Sequence, residues 1–129
     1  MQLDFAKLDG LLPAIVQDRD SGEVLMLGFM NQQAYAETLS GGVVTFFSRS
    51  RNKLWRKGES SGHTLQVCDI RVDCDADNVL VRVKALGPGV CHEGYRSCFF
   101  RQLAADGAAT VVEQRTFDPN AVYGKDAGK

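Results

Sequence analysis

The chain has 129 residues, of which 44% are hydrophobic and 24% are charged, and its formal net charge is −1. This composition is typical of one globular domain that folds without disulfides, and the near-zero charge gives no general signature of nucleic-acid binding. The sequence has neither an apolar run of about 18 residues nor a signal-peptide core at its start, so we expect a cytoplasmic protein without a membrane span.

The first part of the chain predicts a β-hairpin followed by a helix. Two apolar, β-prone runs, residues 12–17 and 24–29, flank a turn-like polar segment. Asn31 is a candidate N-cap for a helix over residues 32–39, and the glycines that follow it would end that helix.

The remainder of the chain predicts further strands, over residues 43–47, 65–74, 79–83, 99–103 and 110–112. In the second of these, one alternate set of side chains is mostly apolar, which predicts a strand with one buried face. That set is Cys68, Ile70, Val72 and Cys74, after the polar Gln66.

These elements together predict a mostly β, α+β fold with one main helix. We expect a single compact domain over residues 1–129, with its core over about 13–115 and a flexible tail over 117–129.

Three aspartates, Asp73, Asp75 and Asp77, recur at every second position. On a strand, residues two apart share a face, so their carboxylates would project together while Cys74 points the other way. Carboxylate oxygens suit magnesium or calcium, and a divalent cation would offset the repulsion between the three charges. A solvated acidic turn remains the alternative.

The chain has four cysteines, Cys68, Cys74, Cys91 and Cys98. In a reducing compartment, metal binding or core packing is favoured over disulfides. No C-x2-C pair is present, and three thiolates would leave an open position for water, which is the catalytic arrangement of zinc. Core packing of each cysteine remains the alternative, because free cysteine is among the most buried residue types. For Cys68 the core role is favoured.

His92 and a basic run complete the candidate chemistry. His92 follows Cys91 beside a Gly-Pro-Gly break, where a histidine can act as a general acid or base; an ordinary surface histidine is the alternative. Between residues 49 and 57 stand five cations and no acid. With nearby serines and Trp55 they could bind phosphate and stack on a base, and a solvated hairpin is the alternative.

Several of these segments, taken in order, resemble the phosphoribosyl-AMP cyclohydrolase family of histidine biosynthesis. The similar segments are residues 25–31, 48–63, 73–77 and 91–99, and the resemblance extends from about residue 13 to 103. Several long motifs in the right order are far more specific than any one of them.

The resemblance implies an enzyme that opens the adenine ring of 1-(5-phosphoribosyl)-AMP at the N1–C6 bond. The product would be the formimino-aminoimidazole carboxamide ribotide, at the third step of L-histidine biosynthesis. Some relatives carry a fused pyrophosphohydrolase domain, and this chain is expected to have the cyclohydrolase activity alone.

The resemblance also implies an intertwined homodimer with one zinc per subunit and a magnesium site, acting on a small nucleotide with neither nucleic acid nor membrane as partner. Zinc would be shared between subunits through Cys74, Cys91 and Cys98, and magnesium held by Asp73, Asp75 and Asp77. The catalytic residue would be His92, which moves a proton as zinc-activated water attacks C6. The expected substrate-binding residues are Arg49, Ser50, Arg51, Lys53, Trp55, Lys57, Ser60, Ser61 and His63.

Two other functions compete with this one. A zinc deaminase of bases would carry H-x-E with P-C-x-x-C, and the chain has neither motif. A non-catalytic, zinc-stapled binding module would need four tight ligands, with Cys68 as the fourth.

Overall fold

A computed structural model describes residues 1–123, which form eight strands and two helices. In chain order they are β1 (Leu12–Asp18), β2 (Val24–Met30), α1 (Gln32–Gly41), β3 (Thr45–Ser48), β4 (Lys53–Arg56), β5 (Leu65–Val72), β6 (Val79–Ala85), β7 (Arg101–Leu103), β8 (Ala109–Val111) and α2 (Pro119–Tyr123). The predicted mostly β, α+β fold is confirmed.

The main sheet has four strands in the order β2-β1-β6-β5. The predicted hairpin is confirmed, because β1 pairs antiparallel with β2, while β1 and β6 run parallel. Alternate side chains of β1 and β6 are buried, among them Val16 and Val81, as expected for strands that cover a core with one face. Gly28 of β2 admits the ring of Phe46, since a Cβ there would lie 2.5 Å from that ring.

Helix α1 begins where the sequence predicts and ends two residues later than predicted, at Gly41. The Asn31 side chain accepts a hydrogen bond from the Ala34 N–H at 2.8 Å, which is an N-cap contact. Gly42 ends the helix with a left-handed backbone, φ 75°, and donates to the Thr38 carbonyl. The buried Thr38 hydroxyl donates to the Ala34 carbonyl and accepts from the Thr45 N–H, so it ties α1 to β3.

Strand β5 differs from the expectation. A β-bulge lies between Val67 and Asp69, and Cys68 between them has no partner in the β6 register. The bulge changes which side chains face the core, so Leu65 is fully buried whereas Cys68 and Val72 are exposed. The predicted core role of Cys68 is therefore wrong for the isolated chain, and of the predicted buried face Ile70 packs against the core whereas Val72 does not.

Past residue 100, the chain forms the two predicted strands and a short helix. Strands β7 and β8 pair with each other in a two-stranded sheet, and all six of their residues are exposed. Residues 117–123 of the predicted tail include α2, whereas 124–129 lie outside the described residues. Neither helix in the described part of the chain has the length and apolar character needed to cross a bilayer.

Candidate active site

One cavity, with a volume of about 310 Å³, gathers residues from four separate parts of the chain. Its lining includes most of the basic run, His92 and Cys98. Six of the predicted substrate-binding residues face it: Ser50, Arg51, Trp55, Lys57, Ser60 and Ser61. A concave site of this size with a few convergent polar groups is suited to a small ligand.

The β3–β4 hairpin explains how the basic run reaches this cavity. Strand pairing sets Phe46 opposite Trp55, and the Phe46 ring is buried in the core 5.2 Å from the Trp55 ring. Trp55 is only half-buried, so it packs on the core and still lines the cavity. The segment after β4 then turns tightly at Gly58, whose φ is 88° and where a Cβ would lie 2.5 Å from the His63 backbone.

Three predicted substrate-binding residues lie outside the cavity lining. The Arg49 guanidinium stacks 4.0 Å above the centre of the Phe29 ring, and Lys53 is exposed at the start of β4. The His63 ring packs edge-on against Phe117, with 5.0 Å between ring centres. The buried Nδ1 of His63 has no hydrogen-bond partner within residues 1–123.

Lys57 differs from the other cations of the basic run because it is buried. Its Nζ donates a hydrogen bond to the Val90 carbonyl at 2.5 Å, across 33 positions of the sequence. Desolvation lowers the pKa of the Lys57 ammonium, while charge on Cys98 and Cys91 acts in the opposite direction. The side chain therefore joins the basic hairpin to the segment that carries two of the candidate zinc ligands.

That segment, residues 87–98, is called the cysteine loop below. Its own backbone closes a turn, in which the Gly94 N–H donates to the Cys91 carbonyl and the Cys91 N–H to the Tyr95 carbonyl. At its far end, the Ser97 hydroxyl donates to the Val24 carbonyl and the Cys98 N–H to the Leu25 carbonyl. Strand β2 thereby holds Cys98 beside the cavity.

Cys91 and Cys98 lie close together. Cys91 is buried, and Cys98 is exposed as a residue although the surroundings of its sulfur are desolvated. Desolvation, followed by the charge of Cys91, raises the pKa of the Cys98 thiol to about 12. A metal ion would reverse this effect, because a coordinating thiol loses its proton.

Cys74 does not join this pair within one chain. Among residues 1–123, the only group of three or more metal-ligating side chains within 4.8 Å of one another is formed by aspartates. One chain thus supplies at most two neighbouring thiols, whereas a catalytic zinc site of the expected type needs three.

The acidic turn, residues 73–78, gathers the three predicted carboxylates. Oxygens of Asp73, Asp75 and Asp77 lie within 4.8 Å of one another. Strand alternation does not produce this grouping, because β5 ends at Val72. Instead the Asp73 carboxylate accepts from the Asp77 N–H at 3.1 Å and from the Asn78 side chain at 2.7 Å, which closes a turn. The explanation by strand alternation is therefore wrong, although the three carboxylates do converge as predicted.

The N-terminal segment contacts the acidic turn. The Asp4 N–H donates to the Ala76 carbonyl, and Lys7 Nζ lies 2.9 Å from Asp77 Oδ2. The Lys7 hydrogen bond lowers the pKa of Asp77, and Asp77 in turn raises that of Lys7. Three carboxylates matched by one exposed ammonium leave a net negative site whose oxygens fit a hard divalent cation.

Sequence reasoning missed several cavity residues, of which Tyr123 is the most distant in the chain. Tyr123 stands in a polar stretch without periodicity, so no local pattern pointed to it. Glu59, which also lines the cavity, could have been predicted from the sequence, because it is the one carboxylate between the basic run and the serines.

Comparison with known proteins gives one consistent result. The sequence profile described as phosphoribosyl-AMP cyclohydrolase matches residues 26–100. A protein of that name from Solibacter usitatus is 62% identical and covers 96% of this chain and 98% of its own. Proteins of the same name from Desulforapulum autotrophicum and Nitratidesulfovibrio vulgaris are 52% and 50% identical, over 95% and 93% of this chain and 98% and 94% of their own. The range that the profile matches includes every residue of the cavity lining except Tyr123.

Proposed function

The chain belongs to the phosphoribosyl-AMP cyclohydrolase family, hydrolases of histidine biosynthesis, and from this premise we propose that the cavity beside His92 is its active site. Family membership supports the catalytic function over a non-catalytic zinc-stapled module. The observation that carries the assignment is that one cavity joins the basic run, Trp55, His92 and Cys98. We expect the enzyme to act in the cytoplasm.

The cavity lining matches the chemistry of 1-(5-phosphoribosyl)-AMP. Arg51 and Arg56 are exposed cations that can pair with its two phosphate groups, and the hydroxyls of the adjoining serines add donors. The half-buried indole of Trp55 offers an apolar face for the adenine ring. Lys57 has a different role, since its Nζ donates to Val90 and is withheld from solvent.

The thiol pair supports a zinc site that two subunits complete. Cys91 and Cys98 are neighbours in one chain, and Cys74 of the partner subunit would supply the third thiolate, giving one zinc per subunit. When bound, zinc would supply Lewis-acid activation of a water at neutral pH. Exposed apolar side chains support a homodimer as well: Phe99 is 59% and Leu103 is 68% exposed in the single chain.

His92 is the candidate proton carrier. It is exposed at the cavity, next to Cys91 in sequence, and no other histidine lines that cavity. His92 would take the proton of the attacking water and deliver it to N1 as the N1–C6 bond breaks, so that the ring opens to the formimino product. The acidic turn would hold magnesium through Asp73, Asp75 and Asp77.

Replacement of the two histidines tests this assignment. We expect His92→Ala to lower kcat for purine ring opening by at least about 100-fold, which is the usual scale of general acid–base catalysis, without loss of bound zinc. His63→Ala is the comparison, because His63 lies outside the cavity lining, and its loss of turnover should be much smaller than that of His92→Ala. Absorbance of the opened ring and zinc per chain are measured together. Near-wild-type turnover of His92→Ala would contradict the role of His92.

A further inference from the structure

The C-terminal strap, residues 115–117, crosses the segment of the cysteine loop that carries His92. The Thr116 N–H donates to the Gly94 carbonyl at 2.8 Å, and the Thr116 hydroxyl donates to the Pro88 carbonyl at 2.8 Å. One residue therefore ties together two points of the loop, on either side of Cys91 and His92. The strap lies outside residues 26–100, the part that the family profile matches.

The strap contacts the loop closely along its length. A Cβ on Gly89 would lie 2.9 Å from Thr116 Oγ1, and one on Gly94 would lie 2.6 Å from the Phe117 carbonyl oxygen. Gly94 also has φ +96°, where other residues are strained. Arg115 Nε donates to the Glu93 carbonyl at 2.8 Å. At these distances, a shift of the strap would displace the loop.

His92 has little else to fix its position. Within residues 1–123 it takes part in no hydrogen bond of its own, and it is exposed. Its neighbours Glu93 and Gly94 are the residues that the strap contacts through their carbonyls. The chain then continues from the strap through α2 to Tyr123, which lines the same cavity as His92. The strap is thus linked both to the loop and to the cavity wall.

We propose that Thr116 is a positioning residue of the ring-opening reaction, and that its hydroxyl fixes the backbone that presents His92 to the cavity. The inference rests on the proposed catalytic role of His92. Thr116 does not itself line the cavity, so it acts through the loop and not on the substrate. A small misplacement of a catalytic group is enough to slow a reaction strongly.

A pair of substitutions in the full-length enzyme separates the hydroxyl from the rest of the side chain. Thr116→Val removes the donor but keeps the β-branched shape, and Thr116→Ser keeps the donor. We expect kcat of Thr116→Val to fall about tenfold, with KM, zinc per chain and Tm near those of the wild type. Thr116→Ser should restore most of kcat. Wild-type kcat in Thr116→Val, or an equal loss in Thr116→Ser, would overturn the proposal.

A second measurement is independent of turnover. Amide hydrogen exchange over residues 89–95 should be faster in Thr116→Val than in Thr116→Ser, and unchanged exchange would also overturn the proposal. If Thr116→Val does not fold, Thr116→Ala, which also removes the hydroxyl, is compared with Thr116→Ser in the same two measurements. Failure of the proposed function looks different, because His92→Ala would then retain its turnover whatever the Thr116 variants do.

Discussion

The acidic turn and the cysteine loop both gather candidate metal ligands, but they are assembled in different ways. The acidic turn is closed by hydrogen bonds between residues at most five positions apart. The cysteine loop is held by contacts over much longer separations, such as the 73 positions between Ser97 and Val24 and the 33 between Lys57 and Val90. The first is a local structure, and the second exists only once the domain has folded.

Both regions are contacted by a segment near one end of the sequence. Asp4 and Lys7 contact the acidic turn, and Arg115 and Thr116 contact the cysteine loop. All four bracing residues lie outside the range that the family profile matches, 26–100. The candidate ligands therefore stand within the matched range, and some of the contacts that hold them in place come from outside it.

The cysteine loop should give the largest effect when one of its candidate zinc ligands is removed. We expect Cys91→Ser to lose bound zinc and to lower turnover by at least about 100-fold, since Cys91 is one of only two neighbouring thiols in the chain. Metal content per chain and the ring-opening assay are the measurements. Cys68→Ser is the matched control, and it should retain both properties because Cys68 is an exposed residue of the β5 bulge. Zinc loss in Cys68→Ser would instead indicate a fourth ligand.

The acidic turn should give a smaller effect that added magnesium can reverse. Asp75→Asn removes one of three converging charges while two carboxylates remain, so we expect about a tenfold increase in the magnesium concentration needed for half-maximal activity. Zinc content should not change. Asp106→Asn, in the exposed turn between β7 and β8, is the control. If Asp75→Asn keeps both full activity and the wild-type magnesium dependence, the carboxylate assignment is wrong.

The same contrast explains what the sequence could predict. Asn31 and Gly42 mark the ends of α1 through local geometry, and both were correctly placed. The three aspartates were correctly grouped, although a turn and not strand alternation brings them together. Cys68 was misplaced because a single bulged residue reverses the faces of β5, and the alternation of side chains gives no sign of it.

Local sequence patterns could not predict the contacts of the cysteine loop. The hydrogen bond from Lys57 to Val90 depends on how the hairpin β3–β4 packs against a distant loop, so the sequence grouped Lys57 with the other candidate phosphate-binding cations and gave no sign of this contact. Thr116 and Tyr123 stand in a polar stretch without periodicity and gained their contacts only from tertiary packing.

The smallest expected effect concerns the anchor of the cysteine loop to the sheet. Arg96, in that loop, lies 2.7 Å from a carboxylate oxygen of Glu23 and 3.4 Å from one of Asp18. Asp18 is buried, and hydrogen bonds from Ser21, together with the charge of Arg96, hold its pKa below its usual value. The ionised carboxylate is therefore favoured in the folded state over the unfolded state.

The sign of the pH dependence follows from that shift. The stabilisation from Asp18 is fully present above the unfolded pKa of an aspartate, about 3.9, and is lost as the pH falls through the lower folded value. We expect Asp18→Asn to lower the free energy of unfolding by about 1 kcal/mol at neutral pH, with the difference from the wild type shrinking in acid. Urea denaturation near pH 7 and pH 3, at one protein concentration, measures the difference in the free energy of unfolding between the variant and the wild type. The exposed Asp20→Asn should change stability by less than about 0.5 kcal/mol at both values. A deficit in Asp18→Asn that persists undiminished in acid would show that the contribution of Asp18 is not the ionic one, and that Arg96 anchors the loop through Glu23 alone.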